Sequence, residues 1–268
     1  MFLAHKNSIK ENHYIVLEQY NKTKILANIE GKYQLISNIC PHQKSLISMK
    51  KGSGNRVCPY HSWSFDLAGN PLTSGRTICE NNSTLDNEPV YEWDSLLFSV
   101  PVTGMPKLNL KDFQFIEQRV DIVNANSITI MDLFLDVDHI PTVHRGVYEQ
   151  LGIDPTEVSW DYYNNSSEQT VKQGAKWIAV YPNTMIEWQL GALFITIAEQ
   201  INECQSKVHV FKYRESNMHE KVWEMNQHVW ETAWAQDKYQ AELIVGINYD
   251  NLETPKQHYR DWLNGSNI

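Results

Sequence analysis

The sequence predicts an α+β protein in two parts, and three observations carry that prediction. Short alternating segments with turn residues between them fill the chain up to about Val100. Pro101, Gly104 and Pro106 then punctuate it. Beyond them, helix-period and strand-period stretches are mixed. The expected division is residues 1–105, all β, and residues 106–268, an antiparallel sheet with helices.

In the first part, "YIVLEQYNKTKILANIEGKYQLIS" from Tyr14 reads as strands with turns at Asn21 and Glu30-Gly31. "SFDLAGNPL" is a strand followed by a Gly69-Asn70 turn, and "VYEWDSLLFSV" reads as a further strand pair. In the second part, Ile128 to about Ile140 reads as a helix. "KWIAVYPNTMIEWQLGALFITIAEQ" and "SKVHVFKYRE" read as antiparallel strands, and "VWETAWAQDKYQAELIVGI" as a long helix. No internal repeat or low-complexity tract interrupts them.

Composition narrows the function classes. The 268 residues are 42% hydrophobic, which is ordinary for a soluble globular protein, and their net charge of −9 argues against a nucleic-acid partner. No stretch approaches the length of a membrane span. The start, "MFLAHKNSIKENHY", turns polar after four residues and does not read as a signal peptide. A cytoplasmic location is expected, where the four cysteines serve as metal ligands or plain thiols rather than disulfides. Cys79 and Cys204 lack partner motifs and are expected to be plain thiols.

The other two cysteines lie in "NICPHQKSLISMKKGSGNRVCPYHSW", from Asn38 to Trp63. Each is followed closely by a histidine: Cys40 by His42, Cys58 by His61. Zinc knuckles usually pair like with like, two Cys on one loop. Here each loop offers one thiolate and one imidazole. That interleaving suits a two-iron cluster with two thiolates on one iron and two imidazoles on the other, the Rieske 2Fe-2S ligand set. Pro41 and Pro59 stiffen the loops, Gly52 and Gly54 turn the chain between them, and Tyr60, Ser62 and Trp63 can cover the cluster.

A second constellation lies in "IMDLFLDVDHIPTVHRGVY". His139 and His144 are five apart, so on one continuous helix they point about 140° from each other and could not share a metal. Pro141 is expected to break the helix between them and let the second ring swing back. Asp136, three residues before His139, is expected to share its helix face and accept its other ring N–H. Two histidines invite a carboxylate, completing a facial triad that leaves open positions on ferrous iron. Asp237, among Trp230 and Trp234, is the candidate, with Glu231 and Glu242 as alternatives.

The Cys/His segment resembles the "CPHRG…CPYHGW" signature of Rieske non-haem iron oxygenases, the ring-hydroxylating family, departing at Gln43 for Arg and Ser62 for Gly. The resemblance extends from about Tyr14 to Trp262. "DHIPTVHRGVY" is most similar to the branch with choline, glycine betaine and carnitine oxygenases, and "YPNTMIEW" also has a counterpart there. The late-helix pattern "EDxxIxExxQ" aligns Gln236 with Glu and Asp237 with the iron-ligating Asp.

The resemblance implies a Rieske β-domain joined to a helix-grip (START-like) catalytic domain, a 2Fe-2S cluster, a mononuclear Fe(II) site and dioxygen as co-substrate. It implies a ferredoxin or flavin reductase as electron donor. It also implies a homotrimer in which Asp136 carries electrons from a neighbouring subunit's cluster to the iron. Hydroxylation, ring cis-dihydroxylation and oxidative demethylation all lie within the family's range. The several Trp of the second part could cage a quaternary amine or line a slot for an aromatic substrate, although most are expected to be core. The alternative function is an electron carrier whose catalytic domain has degenerated.

Overall fold

The computed structural model describes residues 1–73, 83–154, 157–244, 246 and 252–265. Cys79 lies outside them. The chain divides into two compact units between Pro101 and Val102, a few residues before the expected boundary.

The N-terminal unit contains the strands β1 (Phe2–His5), β2 (His13–Val16), β3 (Lys24–Ile29), β4 (Lys32–Ser37), β5 (Gly52–Ser53) and β6 (Arg56–Val57). It continues with β7 (Ser64–Phe65), β8 (Pro71–Thr73), β9 (Asn87–Glu88), β10 (Tyr91–Trp93) and β11 (Leu96–Phe98). They form three antiparallel sheets ordered β5-β2-β3-β4-β9, β6-β7-β8 and β1-β11-β10. The β3–β4 hairpin closes on two left-handed residues, Glu30 and Gly31, whose twist matches that of the paired strands. Gly69 must be glycine. Its φ is +90°, and a Cβ there would stand 3.0 Å from that of Leu85. The core of the central sheet (Ile25, Ala27, Ile36, Trp63, Phe65, Leu85) also takes in Cys40 and Cys58, so the two thiols are buried where the loops meet the sheets.

Among the described residues, the C-terminal unit has a seven-stranded antiparallel sheet and four α-helices. Its strands are β12 (Phe113–Val123), β13 (Val158–Tyr163), β14 (Ser166–Val171), β15 (Lys176–Val180), β16 (Thr184–Gln189), β17 (Ala192–Asn202) and β18 (Gln205–Glu215). The sheet order is β12-β18-β17-β16-β15-β14-β13, so sequential hairpins carry the chain from β13 to β18 and β12 joins at the far edge. The helices are α1 (Ser127–Phe134), α2 (Ile140–Val143), α3 (Glu220–Leu243) and α4 (Thr254–Leu263).

The long helix begins earlier than its apolar period suggests, because His219 caps it by accepting from Lys221 N. One face of α3 is buried: Trp223, Trp230, Ala233, Trp234, Asp237 and Ala241 recur at helical spacing. Trp223 and Trp230 stack on Phe194 of β17, with centroids at 5.8 and 5.0 Å. This is the helix-on-sheet arrangement expected of a helix-grip domain. No described helix is long and apolar enough to cross a membrane.

Two local expectations are corrected. The helix from Ile128 ends at Phe134 and not near Ile140. Asp136 Oδ1 accepts from the backbone of Asp138 at 2.9 Å and His139 at 3.2 Å, a side-chain cap that starts a new turn. Pro141 does not break a helix between the histidines either. It sits in the first turn of α2, where its missing N–H has no intrahelical partner to lose.

Candidate metal centres

In the N-terminal unit the two Cys/His loops have the same local build. Lys44 N donates to Cys40 O and Ser62 N to Cys58 O, each at 3.0 Å. Each loop therefore closes four residues after its cysteine, and both closing residues are left-handed, Lys44 at φ +56° and Ser62 at φ +61°. The glycines of the family signature are thus explained by backbone conformation. Lys44 is a third departure from that signature, beside Gln43 and Ser62, and the sequence reading had missed it.

Cys40 and Cys58 are each 2% exposed, whereas His61 reaches the surface. The His42 and His61 rings stand 4.6 Å apart, and His42 stacks on Trp63 at 4.9 Å. Burial pushes the Cys40 thiol up, with the neighbouring Cys58 thiol adding to the shift, so a positive partner is needed for a thiolate there. His42 Nδ1 is buried and has no hydrogen-bond partner. Two buried thiols beside an orphaned imidazole nitrogen and a second imidazole fit a 2Fe-2S cluster of the Rieske kind.

In the C-terminal unit the donors come from α2 and α3. His139 and His144 are the two cap residues of α2, and Asp237 reaches them from the buried face of α3. His139 Nε2, His144 Nε2 and Asp237 Oδ1 form a triangle with edges of 3.0, 3.2 and 2.9 Å. Among the described residues, this is the group whose donor atoms gather closely enough to hold one ion. Ligands at right angles and about 2.1 Å from a metal stand about 3.0 Å apart, so the triangle fits one face of an octahedral site. Two imidazoles and one carboxylate are also the donor chemistry that ferrous iron takes in such a face.

The surroundings tune these donors. Burial alone raises the Asp237 carboxyl, but His139 and His144 outweigh it and hold it below the usual range. Burial lowers His144, and Asp237 again outweighs it, so the imidazolium is favoured. Both shifts describe an anion in need of a cation. His144 Nδ1–H donates to Gln236 Oε1 at 2.8 Å, which leaves Nε2 for a metal.

Asp136 is not placed as expected. Its Oδ1 lies 3.9 Å from His139 Nδ1, too far for a hydrogen bond, and that nitrogen is buried without a partner. The residue is outside the helix, so the expected shared face does not exist. Its carboxylate caps the backbone of residues 138–139, and Oδ2 accepts from Lys256 of α4 at 2.9 Å.

The alternative ligands are elsewhere. Glu231 is held by Arg119 and Lys212, and Glu242 accepts from Asn124 N at 3.1 Å. Cys204 is an exposed free thiol.

The donor triangle faces a cavity with about 30 Å3 of space, room for about two water-sized groups. Phe134, Tyr148, Trp177, Trp230 and Trp234 give it aromatic walls, and Gln169 and Glu187 are polar groups in the lining. Sequence reasoning missed both. They lie on one row of the sheet, since Gln169 pairs with Trp177 and Trp177 with Glu187. Glu187 is buried and accepts from Trp230 Nε1 at 2.9 Å. Burial pushes its carboxyl up to about 7.

Comparison with known proteins bears on the N-terminal unit by sequence and on the whole chain by fold. Residues 1–78 match the Rieske [2Fe-2S] domain. The chain is 22% identical over 236 residues to putrescine 2-hydroxylase of Ralstonia nicotianae, covering 73% of this chain and 64% of that protein. It is 25% identical over 179 residues to the carnitine monooxygenase oxygenase subunit of Escherichia coli K12, covering 57% of this chain and 47% of the subunit. It therefore spans between about half and two thirds of these relatives' length.

Its fold is that of the quaternary ammonium Rieske monooxygenase CntA solved with L-carnitine. The TM-score is 0.79 at 13% identity, over 100% of this chain and 88% of CntA. The N-terminal unit thus matches a Rieske [2Fe-2S] domain by sequence, and the chain as a whole is similar in fold to Rieske monooxygenases of the carnitine monooxygenase kind.

Proposed function

We propose that this chain is the oxygenase component of a Rieske system that hydroxylates, or oxidatively demethylates, a small organic amine. The observation that carries the reading is the donor triangle of His139, His144 and Asp237 at the edge of an aromatic-walled cavity. A carrier of electrons needs no such site. Relatives that act on putrescine and carnitine support the amine class, and so does the surplus of acidic residues in the chain.

In this reading Cys40, His42, Cys58 and His61 hold the cluster, and His139, His144 and Asp237 hold ferrous iron. Bound there, the iron supplies binding and reductive activation of dioxygen. The residues of the chain do the rest. Gln236 fixes the tautomer of His144. The aromatic walls orient the substrate and keep bulk water from the reacting carbon.

Asp136 is the proposed electron bridge. It lines the metal cavity and also an open groove formed with Trp160, Tyr162 and Pro255. A partner seated in that groove would reach His139 through one residue. A homotrimer with a ferredoxin or flavin reductase as donor is consistent with this, and inter-subunit electron transfer is described for a quaternary ammonium Rieske monooxygenase of the same fold.

The test is iron content beside turnover. The parent should bind about three irons per chain, and Asp237→Ala about two, keeping the red-brown Rieske spectrum and losing oxygenation. A parent that holds only the cluster iron would make the protein an electron carrier. A variant that keeps all its iron and its activity would move the third ligand away from Asp237.

A further inference from the structure

We propose that Glu187 and Gln169 form an ammonium subsite that selects a nitrogen still bearing hydrogens, a primary or secondary ammonium, over a trimethylammonium. The inference rests on the amine reading above and specifies the head group.

Three observations carry it. Glu187 is 8% exposed, yet no ion pair compensates it among the described residues. Its one hydrogen bond comes from Trp230 Nε1 to Oε1, which positions the carboxylate and leaves lone pairs on both oxygens. An uncompensated buried carboxylate is costly, and burial already drives its pKa to about 7. A cation brought by a ligand removes that cost.

Gln169 adds a second acceptor. It is 1% exposed, and its Nε2 donates to Phe134 O at 2.9 Å. The amide oxygen is buried with no donor. A buried acceptor in that state awaits an N–H or O–H.

Register brings the two together. Gln169, Trp177 and Glu187 are successive cross-strand partners on β14, β15 and β16, so their side chains share one sheet face. The metal donors come from α2 and α3, so the acceptors line the cavity from the sheet. Trp177 Nε1, between them, also lacks a partner. It is a donor, and so suits an oxygen atom of the substrate or product.

The complement of a carboxylate and an amide oxygen is a cation with at least two N–H bonds. A quaternary ammonium has none and would leave both acceptors unsatisfied.

The test is anaerobic calorimetric titration of the Fe(II)-loaded protein with n-butylammonium, n-butyltrimethylammonium and neutral indole. The parent should bind butylammonium at least about tenfold more tightly than its trimethyl analogue. Glu187→Gln should weaken butylammonium by about tenfold or more and leave the trimethyl analogue within about twofold. Gln169→Leu should cost a smaller factor, and both variants should keep the parent's iron content.

Equal or tighter binding of the trimethyl cation by the parent overturns the subsite but leaves the amine reading standing. So does unchanged butylammonium binding in Glu187→Gln. If Glu187→Gln lowers iron content while its iron-loaded fraction binds butylammonium normally, Glu187 balances the metal's charge and the subsite is again overturned. Binding of indole with neither cation removes the amine reading and the subsite together. The parent's preference between the two cations is measured without any variant, so a misfolded variant leaves the proposal exposed to refutation.

Discussion

Gln236 holds His144 by the nitrogen that Asp237 does not. The ring Nδ1–H donates to Gln236 Oε1 at 2.8 Å, while Nε2 stands 2.9 Å from Asp237 Oδ1. Adjacent residues of α3 thus fix the tautomer of the ring and complete its donor triangle. Outer partners of this kind typically change metal affinity by about 10–100-fold. Gln236→Leu should therefore weaken ferrous binding by roughly that factor, read by metal titration of the cluster-loaded protein. Gln236→Glu, which restores the family's usual residue, should bind at least as tightly as the parent.

Ser62 sits at φ +61° where the family signature has glycine. A left-handed non-glycine residue costs about 1–2 kcal/mol, offset in part by the greater unfolded-state entropy of glycine. Ser62→Gly should raise stability by roughly 0.5–1 kcal/mol, and Lys44→Gly should do the same at the matching position of the other loop. Denaturant unfolding of the cluster-loaded protein measures both. A loss of stability in both variants would show that the side chains, and not the backbone, decide these positions.

Asp136→Asn keeps an oxygen to cap the backbone of Asp138 and His139, so the turn should survive. It removes the charge that faces Lys256. Both metal sites should load normally, while electron transfer from cluster to iron slows by about 10–100-fold in rapid-mixing absorption. Normal transfer rates would rule out Asp136 as the bridge.

Glu187 predicts a pH-dependent difference in stability. Its carboxyl stands at about 7 in the folded chain against an ordinary value of 4.5. Between these values the folded state keeps a proton that the unfolded state releases. Ionisation therefore penalises folding. The penalty is fully present above pH 7, shrinks as the pH falls and is gone below 4.5. In the metal-free protein Glu187→Gln should be more stable than the parent by roughly 1–3 kcal/mol at pH 8, with the gap closing toward pH 4.5. A gap that stays constant across this range in urea unfolding would contradict the shift.

The two kinds of site differ in how far they could be read from the chain alone. Cys40-x-His42 and Cys58-x2-His61 are local patterns. A tight loop fixes where side chains two or three residues apart must point, and the prolines and left-handed positions that shape those loops are adjacent in sequence. His139 and His144 were legible for the same reason, although Pro141 begins their connecting turn rather than breaking it. Asp237 lies 98 residues from His139, and no spacing rule spans that distance. In the sequence only its apolar helix face and the resemblance to the late-helix pattern point to it.

The cavity wall lay beyond such reading. Alternation along β14, β15 and β16 shows that Gln169, Trp177 and Glu187 each have a face. Which residues become neighbours depends on strand register. The contact of Asp136 with Lys256 spans 120 residues and joins a loop to α4. Packing of the whole unit sets both register and docking, because the buried area gained at many positions outweighs the preference of any one side chain. The Cys/His loops close through local backbone geometry, whereas the groups that line the cavity are brought together by the sheet and its helices.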